Sequence, residues 1–203
     1  MSILKKWNNA YKDANIISSK PASVLIDNIH LLSKNGNDNN LDALDLACGR
    51  GGNAIFLAEK GYKVDAIDIS PVVLRQLEAF ANKQDLTINC IEKNIETTDL
   101  SRKKYDVIIV SYFLNRRLFP QIIKSLKPNG LLFYQTWSKL SCEEKGPSNP
   151  NFRLDAGELL KLCASLRIIY YQENGSLGDI HQGLRNEALL IAQNIIDTVT
   201  VKF

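Results

Sequence analysis

The sequence predicts an α/β fold with a doubly wound, mostly parallel sheet of seven strands that ends in an antiparallel pair. Three observations lead to this prediction. A short apolar segment runs directly into a glycine-rich turn within residues 41–53, as a buried parallel strand does before a helix. Strand-like and helix-like segments then alternate as far as residue 137. Two final strand-like segments, 166–172 and 187–193, have no helical segment between them, which favours antiparallel pairing.

The length and composition are those of one ordinary domain. The 203 residues carry 25 basic and 22 acidic side chains, and a net charge of +3 is too small to indicate nucleic acid or an anionic membrane as a main partner. We expect one domain over residues 1–203, with a helical cap at 1–40 and the sheet core at 41–203. No stretch suits a signal peptide or a membrane span, and the four cysteines are too dispersed for zinc. The sequence therefore predicts a cytoplasmic protein with reduced thiols and no metal, and it leaves the oligomeric state open.

Two helices are predicted ahead of the first strand. The first carries Trp7 and Tyr11 four residues apart on one face. The second begins at Pro21 and has an apolar face, which we expect to pack on the sheet. Polar residues surround the two aromatic side chains of the first helix. These side chains therefore either pack on the sheet edge or form a lid over a bound ligand, and the sequence leaves both alternatives open.

The glycine-rich turn predicts a nucleotide-type pocket. Gly49 and Gly51 allow a sharp turn and a close approach of the backbone to a ligand at the start of the next helix. Together with Ala54 they fit the G-x-G-x-x-A spacing of dinucleotide-binding domains, so NAD(P) is one candidate. Asp45, however, ends the strand four residues before Gly49. A carboxylate there would repel a pyrophosphate and could accept from an ammonium group, which favours a cofactor with an amino-acid moiety.

A second acidic residue ends the second predicted strand. Asp68 lies seventeen residues beyond Gly51, where a carboxylate can bind both hydroxyl groups of a ribose. This suits several nucleotide cofactors and argues only against NADP. The alternative role for Asp68 is to cap the next helix. Ser70 is the better candidate for that role because Pro71 follows it at the first helical position, so we favour ribose binding by Asp68.

The rest of the chain continues the alternation and then departs from it. The segments up to residue 137 are a helix (70–84), a strand (86–91), a loop (92–100), a strand (105–110), a helix that begins at 119 and a strand (131–137). A polar loop over 138–152 is long enough to be a wall of the active site or disordered. Asp155 is expected to cap a short helix, with Glu158 completing a capping box. The final antiparallel pair is foreign to a plain NAD domain.

The sequence of the glycine-rich turn resembles a known motif. Residues 45–51, D-L-A-C-G-R-G, resemble motif I of the class I S-adenosylmethionine (SAM) methyltransferases, with Ala47 in place of the first glycine. The whole chain is similar to small bacterial members of that class, close to the group of tellurite-resistance methyltransferases. Further similarities are the W-x-x-x-Y of Trp7 and Tyr11, the segment from Tyr105 to Ser111, LKPNG at 126–130 and the segment 152–159. Ala10 and Asn115 depart from this pattern, because relatives often carry Arg and His there.

The resemblance implies a Rossmann-like methyltransferase fold with SAM as the cofactor. It implies that residues 45–51 hold the methionine part, Asp68 the ribose, and Asn94 with Ile95 the adenine, while Ser111 lies near the transferring sulfur. The predicted cofactor-binding residues are Trp7, Tyr11, Asp45, Ala47, Cys48, Gly49, Gly51, Asn53, Asp68, Ile69, Asn94, Ile95 and Ser111.

On the acceptor side no fixed signature is expected, because positioning alone can supply most of the rate of methyl transfer. Four candidate residues follow the fourth strand or precede the last one, and these are Tyr112, Arg116, His181 and Arg185. Their arginines would favour a small anion, and His181 is either a general base or simply solvated.

The sequence thus predicts a SAM-dependent methyltransferase acting on a small molecule, including an anionic or chalcogen-type acceptor. Two alternatives are kept, an NAD-binding oxidoreductase and a SAM-binding protein without turnover. No basic tract or aromatic platform supports nucleic acid as a partner.

Overall fold

The computed structural model describes residues 2–12, 19–32, 41–97, 99–100 and 102–195, and its centre is a seven-stranded sheet. The strands are β1 (Asp42–Leu46), β2 (Lys63–Asp68), β3 (Ile88–Glu92), β4 (Tyr105–Ser111), β5 (Leu126–Trp137), β6 (Arg167–Glu173) and β7 (Glu187–Gln193). The helices are α1 (Ile3–Tyr11), α2 (Ser23–Ile26), α3 (Gly52–Glu59), α4 (Pro71–Lys83), α5 (Phe119–Lys124) and α6 (Glu158–Leu162), and 3₁₀ turns lie at Ile29–Leu31, Arg116–Leu118 and Pro150–Phe152.

The strand order is β3-β2-β1-β4-β5-β7-β6. The first five of these strands are parallel to one another, and β7 is antiparallel to both of its neighbours, β5 and β6. The predicted fold class, with its antiparallel C-terminal pair, is therefore confirmed. The order reverses between β1 and β4, and open α/β sheets bind ligands outside the carboxyl ends of the strands at such a switch point.

The core lies on both faces of the sheet, which explains why the central strands are almost continuously apolar. On β4, Val107 and Ile109 belong to the cluster under α3 and α4, whereas Ile108 and Val110 belong to the cluster under α5 and α6. Alternate residues of a strand point to opposite faces. Asp45 alternates with Leu44 and Leu46 and therefore lies on the α3 side of β1.

Three element boundaries differ from the sequence-based expectation. The second N-terminal helix is only the single turn of α2 followed by a 3₁₀ turn. β5 begins at Leu126 rather than 131, because Leu126 pairs with Tyr105 of β4 and the Asn129 N–H donates to the Asn194 carbonyl at 2.7 Å. α6 begins after Gly157 rather than Asp155, although the Glu158 carboxylate accepts from the Asp155 N–H as one half of the predicted capping box does.

Three further features of the described residues concern membrane-spanning helices, disulfides and metal sites. No helix within the described ranges has the length and apolar character needed to cross a membrane. Cys48, Cys90, Cys142 and Cys163 form no disulfide. In the same part of the chain, no group of three or more His, Cys, Asp or Glu side chains is arranged to hold a metal ion.

Candidate functional site

A cavity of about 600 Å³ opens at the carboxyl ends of β1, β2 and β4, beneath α1. Its volume lies within the range of small-molecule and cofactor sites. Eleven of the thirteen predicted cofactor-binding residues line it, namely Trp7, Tyr11, Ala47, Cys48, Gly49, Asn53, Asp68, Ile69, Asn94, Ile95 and Ser111. Asp45 and Gly51 do not line the cavity.

The glycine turn supports the cavity in two ways. Gly49 lines it with a φ of 50°, and a Cβ at this position would lie 2.9 Å from the Tyr11 hydroxyl oxygen. Gly51 has a φ of 75°, and a Cβ there would lie 2.5 Å from a methyl carbon of Leu77 on α4. Gly51 therefore allows the turn and the packing of α3 against α4, and its predicted contact with the cofactor stays a prediction.

Asp45 lies behind the cavity wall and affects the cavity through its hydrogen bonds to residues of α3. Its side chain is fully buried, and its carboxylate accepts from the Ala54 N–H at 3.0 Å and from the Asn53 amide at 3.5 Å. Burial raises the pKa of Asp45 to about 7, because desolvation disfavours the charged form. Because Asp45 does not line the cavity, its predicted bond to an ammonium group, directly or through water, stays a prediction. Asp45 fixes the start of α3 and orients Asn53, which does line the cavity.

Asn53 connects the polar groups on this side of the cavity. Its side-chain oxygen accepts from the Ala22 N–H at 2.8 Å, and its amide donates to the Ser111 hydroxyl at 2.9 Å. The N-terminal segment, α3 and the end of β4 are thereby tied together. Because the backbone N–H of Ala22 can only donate, the orientation of the Asn53 amide is fixed.

Asp68 lies at the carboxyl end of β2 and lines the cavity. One carboxylate oxygen accepts from the Gly49 N–H and the other from the Ser70 N–H, both at 2.9 Å. Burial raises the pKa of Asp68, and these backbone donors oppose that effect. Ser70 occupies the N-cap position of α4, as predicted, but its hydroxyl donates to Asn8 of α1 at 2.7 Å and makes no capping bond to α4.

Helix α1 covers the cavity. None of its residues is fully buried, but Tyr11 is partly buried against the apolar cluster under α3 and α4. Trp7 and Tyr11 line the cavity with their rings stacked at 5.6 Å between centroids. Burial, together with the nearby charge of Asp68, raises the pKa of the Tyr11 hydroxyl, which stays protonated. Of the two alternatives from the sequence, this placement favours the lid.

The predicted adenine contacts lie in the loop after β3. Ile95 is buried and lines the cavity, and the Asn94 side-chain oxygen accepts from the Glu96 N–H at 3.1 Å in a local turn. Glu96 also lines the cavity and accepts from the Asn115 amide at 3.3 Å. Glu96 was not predicted from the sequence, although it is an acidic residue of the loop in which the adenine contact was expected.

Of the four candidates predicted for the acceptor side, only Tyr112 lines the cavity. Arg116 pairs with both carboxylate oxygens of Glu158, at 2.6 and 2.8 Å, and donates to two backbone carbonyls of the following loop. Arg185 donates to three carbonyls of its own loop, and the His181 side chain is exposed. Of the predicted acceptor-side group Tyr112, Arg116, His181 and Arg185, the structure brings only Tyr112 to the cavity, and both guanidinium groups hold loops in place.

Several lining residues were missed by the sequence analysis. Gln135 and Ser23 line the cavity beside Tyr112 and connect it with the buried Glu187 of β7. Lys20 and Arg50 line it beside the glycine turn. No sequence signal could have selected Gln135, because its partner Glu187 is 52 residues away in the chain and meets it only through the insertion of β7 next to β5.

The comparison with known families agrees with this geometry. The family model described as a methyltransferase domain matches residues 43–130, which run from β1 through the glycine turn into β5. Residues 43–130 are therefore similar to a methyltransferase domain, which agrees with the predicted resemblance to the class I SAM-dependent methyltransferases.

Particular relatives are similar to it over different lengths. A probable SAM-dependent methyltransferase TehB of Haemophilus influenzae is 28% identical over 149 residues, covering 68% of this chain and 50% of that protein. A ubiquinone biosynthesis O-methyltransferase of Rickettsia conorii is 35% identical over 101 residues, covering 47% of this chain and 35% of that protein. The chain thus spans half or less of the length of these two curated relatives.

Solved structures share the fold. The crystal structure of TehB from Haemophilus influenzae superposes with a TM-score of 0.68 at 20% identity, covering 93% of this chain and 67% of that one. A SAM-dependent methyltransferase from Aquifex aeolicus superposes with a TM-score of 0.63 at 18% identity, covering 89% of this chain and 97% of that one.

Proposed function

We propose that this protein transfers a methyl group from SAM to a small-molecule acceptor. The observation that carries the proposal is the cavity at the switch point of the sheet, where Gly49 and the Asp68 carboxylate line one wall and the aromatic residues of α1 cover the opening. The sulfonium of SAM supplies an already activated methyl group, so the protein has chiefly to bind, orient and exclude water.

The lining fits each part of this cofactor. Asp68 presents carboxylate oxygens to a ribose, and Ile69 and Ile95 offer apolar contacts to an adenine. Lys20 and Arg50 are the cations beside the glycine turn, and we assign them to the carboxylate of the amino-acid moiety. Asn53, oriented by Asp45, faces the same moiety.

The oxidoreductase alternative has no support beyond the glycine spacing. The matched family and the antiparallel final strands both favour SAM. The acceptor is open, because the named activities of TehB and of the ubiquinone biosynthesis enzymes belong to proteins that this chain matches at low identity over part of their length. An anionic acceptor is not favoured by Arg116 and Arg185, since both guanidinium groups are engaged in loops.

Calorimetric titration with SAM, S-adenosylhomocysteine and NAD tests the cofactor. We expect micromolar binding of both adenosyl compounds and no signal with NAD. Binding of NAD alone would overturn the proposal. Formation of S-adenosylhomocysteine in the presence of small-molecule acceptors then separates an enzyme from a protein that binds SAM without turnover.

A further inference from the structure

A buried polar network borders the acceptor side of the cavity. Glu187 is only 8% exposed, and its carboxylate accepts from the Gln135 amide at 2.5 Å and from the Tyr112 hydroxyl at 3.2 Å. In the part of the chain that the structure describes, no Lys, Arg or His side chain pairs with this carboxylate. A buried carboxylate held only by neutral donors is costly, so such a group is a candidate for function rather than for stability.

The hydrogen-bond directions in this network are determined by the backbone. The Gln135 side-chain oxygen accepts from the Val24 N–H at 2.9 Å, which can only donate, so the Gln135 amide nitrogen faces Glu187 and Tyr112. Its two N–H groups donate one to each of them. The Tyr112 hydroxyl therefore accepts from Gln135 and donates its own proton to Glu187.

One acceptor position of Tyr112 is left over. A hydroxyl group has one donor and two acceptor positions, and within the described residues only Gln135 occupies an acceptor position of Tyr112. Tyr112 and Gln135 both line the cavity, so a ligand there can donate a hydrogen bond to the Tyr112 oxygen. The pKa of Tyr112 is raised by burial and by the charge of Glu187, which keeps its hydroxyl protonated.

We propose that Tyr112 and Glu187 form a proton relay that serves an acceptor with a neutral phenolic hydroxyl. The proposal rests on the methyltransferase function proposed above. The backbone at Tyr112 has a φ of 54°, a conformation that non-glycine residues adopt at a cost and that is enriched at functional sites. The tyrosine ring packs on Trp137 with 5.3 Å between centroids, so the strained residue is held in one orientation.

The methyl transfer and the proton transfer would occur together. The acceptor oxygen forms a bond to the methyl carbon, and the carbon–sulfur bond breaks with its electron pair going to sulfur, which becomes neutral. The acceptor O–H proton moves to the Tyr112 oxygen while the Tyr112 proton moves to the Glu187 carboxylate. The product is a methyl ether, and one proton remains on Glu187 until solvent removes it.

The surroundings of the relay favour an aromatic alcohol over an anion. Phe113 and Leu184 also line the cavity and suit a flat apolar ligand. The negative charge of Glu187 disfavours an oxyanion at the same place. An acceptor that is already anionic would have no use for a proton relay.

A pair of acceptors that differ in protonation tests the relay. At mildly alkaline pH 4-methylphenol is neutral, whereas 4-methylbenzenethiol is largely thiolate. We expect Tyr112→Phe and Glu187→Gln each to lower kcat/KM for the phenol about 100-fold or more, in the range of general-base contributions. For the thiolate we expect no loss of kcat/KM, because it needs no proton transfer and Glu187→Gln also removes a repelling charge. For the dissociation constant of SAM we expect a change below about 3-fold. Tyr171→Phe is the matched control, because the Tyr171 hydroxyl donates to Glu173 outside the cavity.

The other outcomes are distinct. Equal losses for the phenol and the thiolate would reduce Tyr112 and Glu187 to structural residues and overturn the relay. Weakened SAM binding in Glu187→Gln would assign Glu187 to the cofactor and also overturn it. A wild-type protein that binds SAM but does not methylate the phenol overturns the phenolic acceptor and leaves the proposed cofactor site intact. Failure to bind SAM overturns the proposed function itself.

Discussion

The Asp68 carboxylate illustrates how one residue can shape a site and also bind at it. Its two oxygens hold the Gly49 and Ser70 N–H groups, and it still borders the cavity. Each carboxylate oxygen has two acceptor positions, so a ribose can donate to the same group without displacing the backbone donors.

Asp68→Asn is expected to weaken the binding of S-adenosylhomocysteine about 10- to 100-fold. A hydrogen bond to a charged group contributes roughly 1.5–3 kcal/mol, and about 1.4 kcal/mol corresponds to a factor of ten in affinity. Calorimetry measures the effect. Asp106→Asn is the control, because Asp106 pairs with Lys127 at the amino end of β4, away from the cavity. An unchanged affinity in Asp68→Asn would remove Asp68 from the ribose site.

The sequence predicts residues well where the determining chemistry is local. Asp68 and Gly49 are recognisable because strand, glycine turn and helix follow one another within thirty residues of chain. Glu187 and Arg116 are not predictable in this way. The first meets Gln135 only after β7 inserts beside β5, and the second meets Glu158 across a loop, so both roles depend on contacts between distant segments.

At the scale of elements, α1 is separable from the fold in a way that α3 is not. α3 packs on β1 and β2 with four buried residues, whereas α1 has none and is linked to α4 by the hydrogen bond between Asn8 and Ser70. Its contribution should therefore appear in binding rather than in stability.

Removal of residues 1–12 is expected to weaken the binding of SAM about tenfold or more while changing the free energy of unfolding by less than about 1 kcal/mol. The first effect follows from the loss of the Trp7 and Tyr11 rings from the cavity, and the second from the absence of buried residues in α1. Urea unfolding and calorimetry measure the two quantities. A large loss of stability with unchanged affinity would show that α1 belongs to the core.

The loop between β5 and α6 is stabilised by two arginines, of which the sequence suggested Arg116 for the acceptor side. Arg153 donates to three carbonyls of the loop and Arg116 joins the loop to Glu158 at the start of α6. The pKa of Glu158 is lowered by its bond to Arg116. The loop is thus neither a wall of the cavity nor disordered over the described residues 138–152, contrary to both expectations.

Arg116→Ala is expected to lower the free energy of unfolding by about 1–3 kcal/mol, because Glu158 and two carbonyls lose their donor. The affinity for SAM should stay within about 3-fold of the wild type, since Arg116 does not line the cavity. Arg117→Ala is the matched control on an exposed neighbour. A loss of SAM affinity without a loss of stability would return Arg116 to the functional site.

At the scale of the whole molecule, the two ends of the sheet carry carboxylates in opposite electrostatic environments. At the amino ends of β1 and β4, Lys103 and Lys127 pair with Asp42, and each also pairs with one further aspartate. Hydrogen bonds to these lysines hold the pKa of Asp42 below its usual value, against the effect of burial. At the carboxyl ends, burial raises the pKa values of Asp45 and Asp68. The carboxyl groups that are costly to ionise therefore lie at the end of the sheet that forms the cavity.

This asymmetry predicts how the stability of the ligand-free protein depends on pH. The carboxyl group of Asp45 keeps its proton up to about pH 7 in the folded state, whereas the unfolded chain releases it near pH 3.8. Between these values the folded state binds more protons, so raising the pH destabilises the fold, by at most about 4 kcal/mol for a shift of this size. Asp42 works in the other direction, because its stabilisation is present above pH 3.8 and is lost as the pH falls through its lowered pKa. We expect maximal stability in mildly acidic solution.

Urea unfolding of the wild type, Asp45→Asn and Asp42→Asn between pH 4 and 8, about the span of the two Asp45 values, separates the two ends of the sheet. Asp45→Asn should be less stable overall, because an amide cannot accept from both Asn53 and Ala54, but its stability should fall less steeply as the pH rises. Asp42→Asn should keep the steep fall. Equal slopes in the wild type and Asp45→Asn would contradict a protonated Asp45 behind the cavity. The expected slopes would show that the carboxyl end of the sheet gives up stability near neutral pH, which a bound cationic cofactor can restore by favouring the ionised form of Asp45.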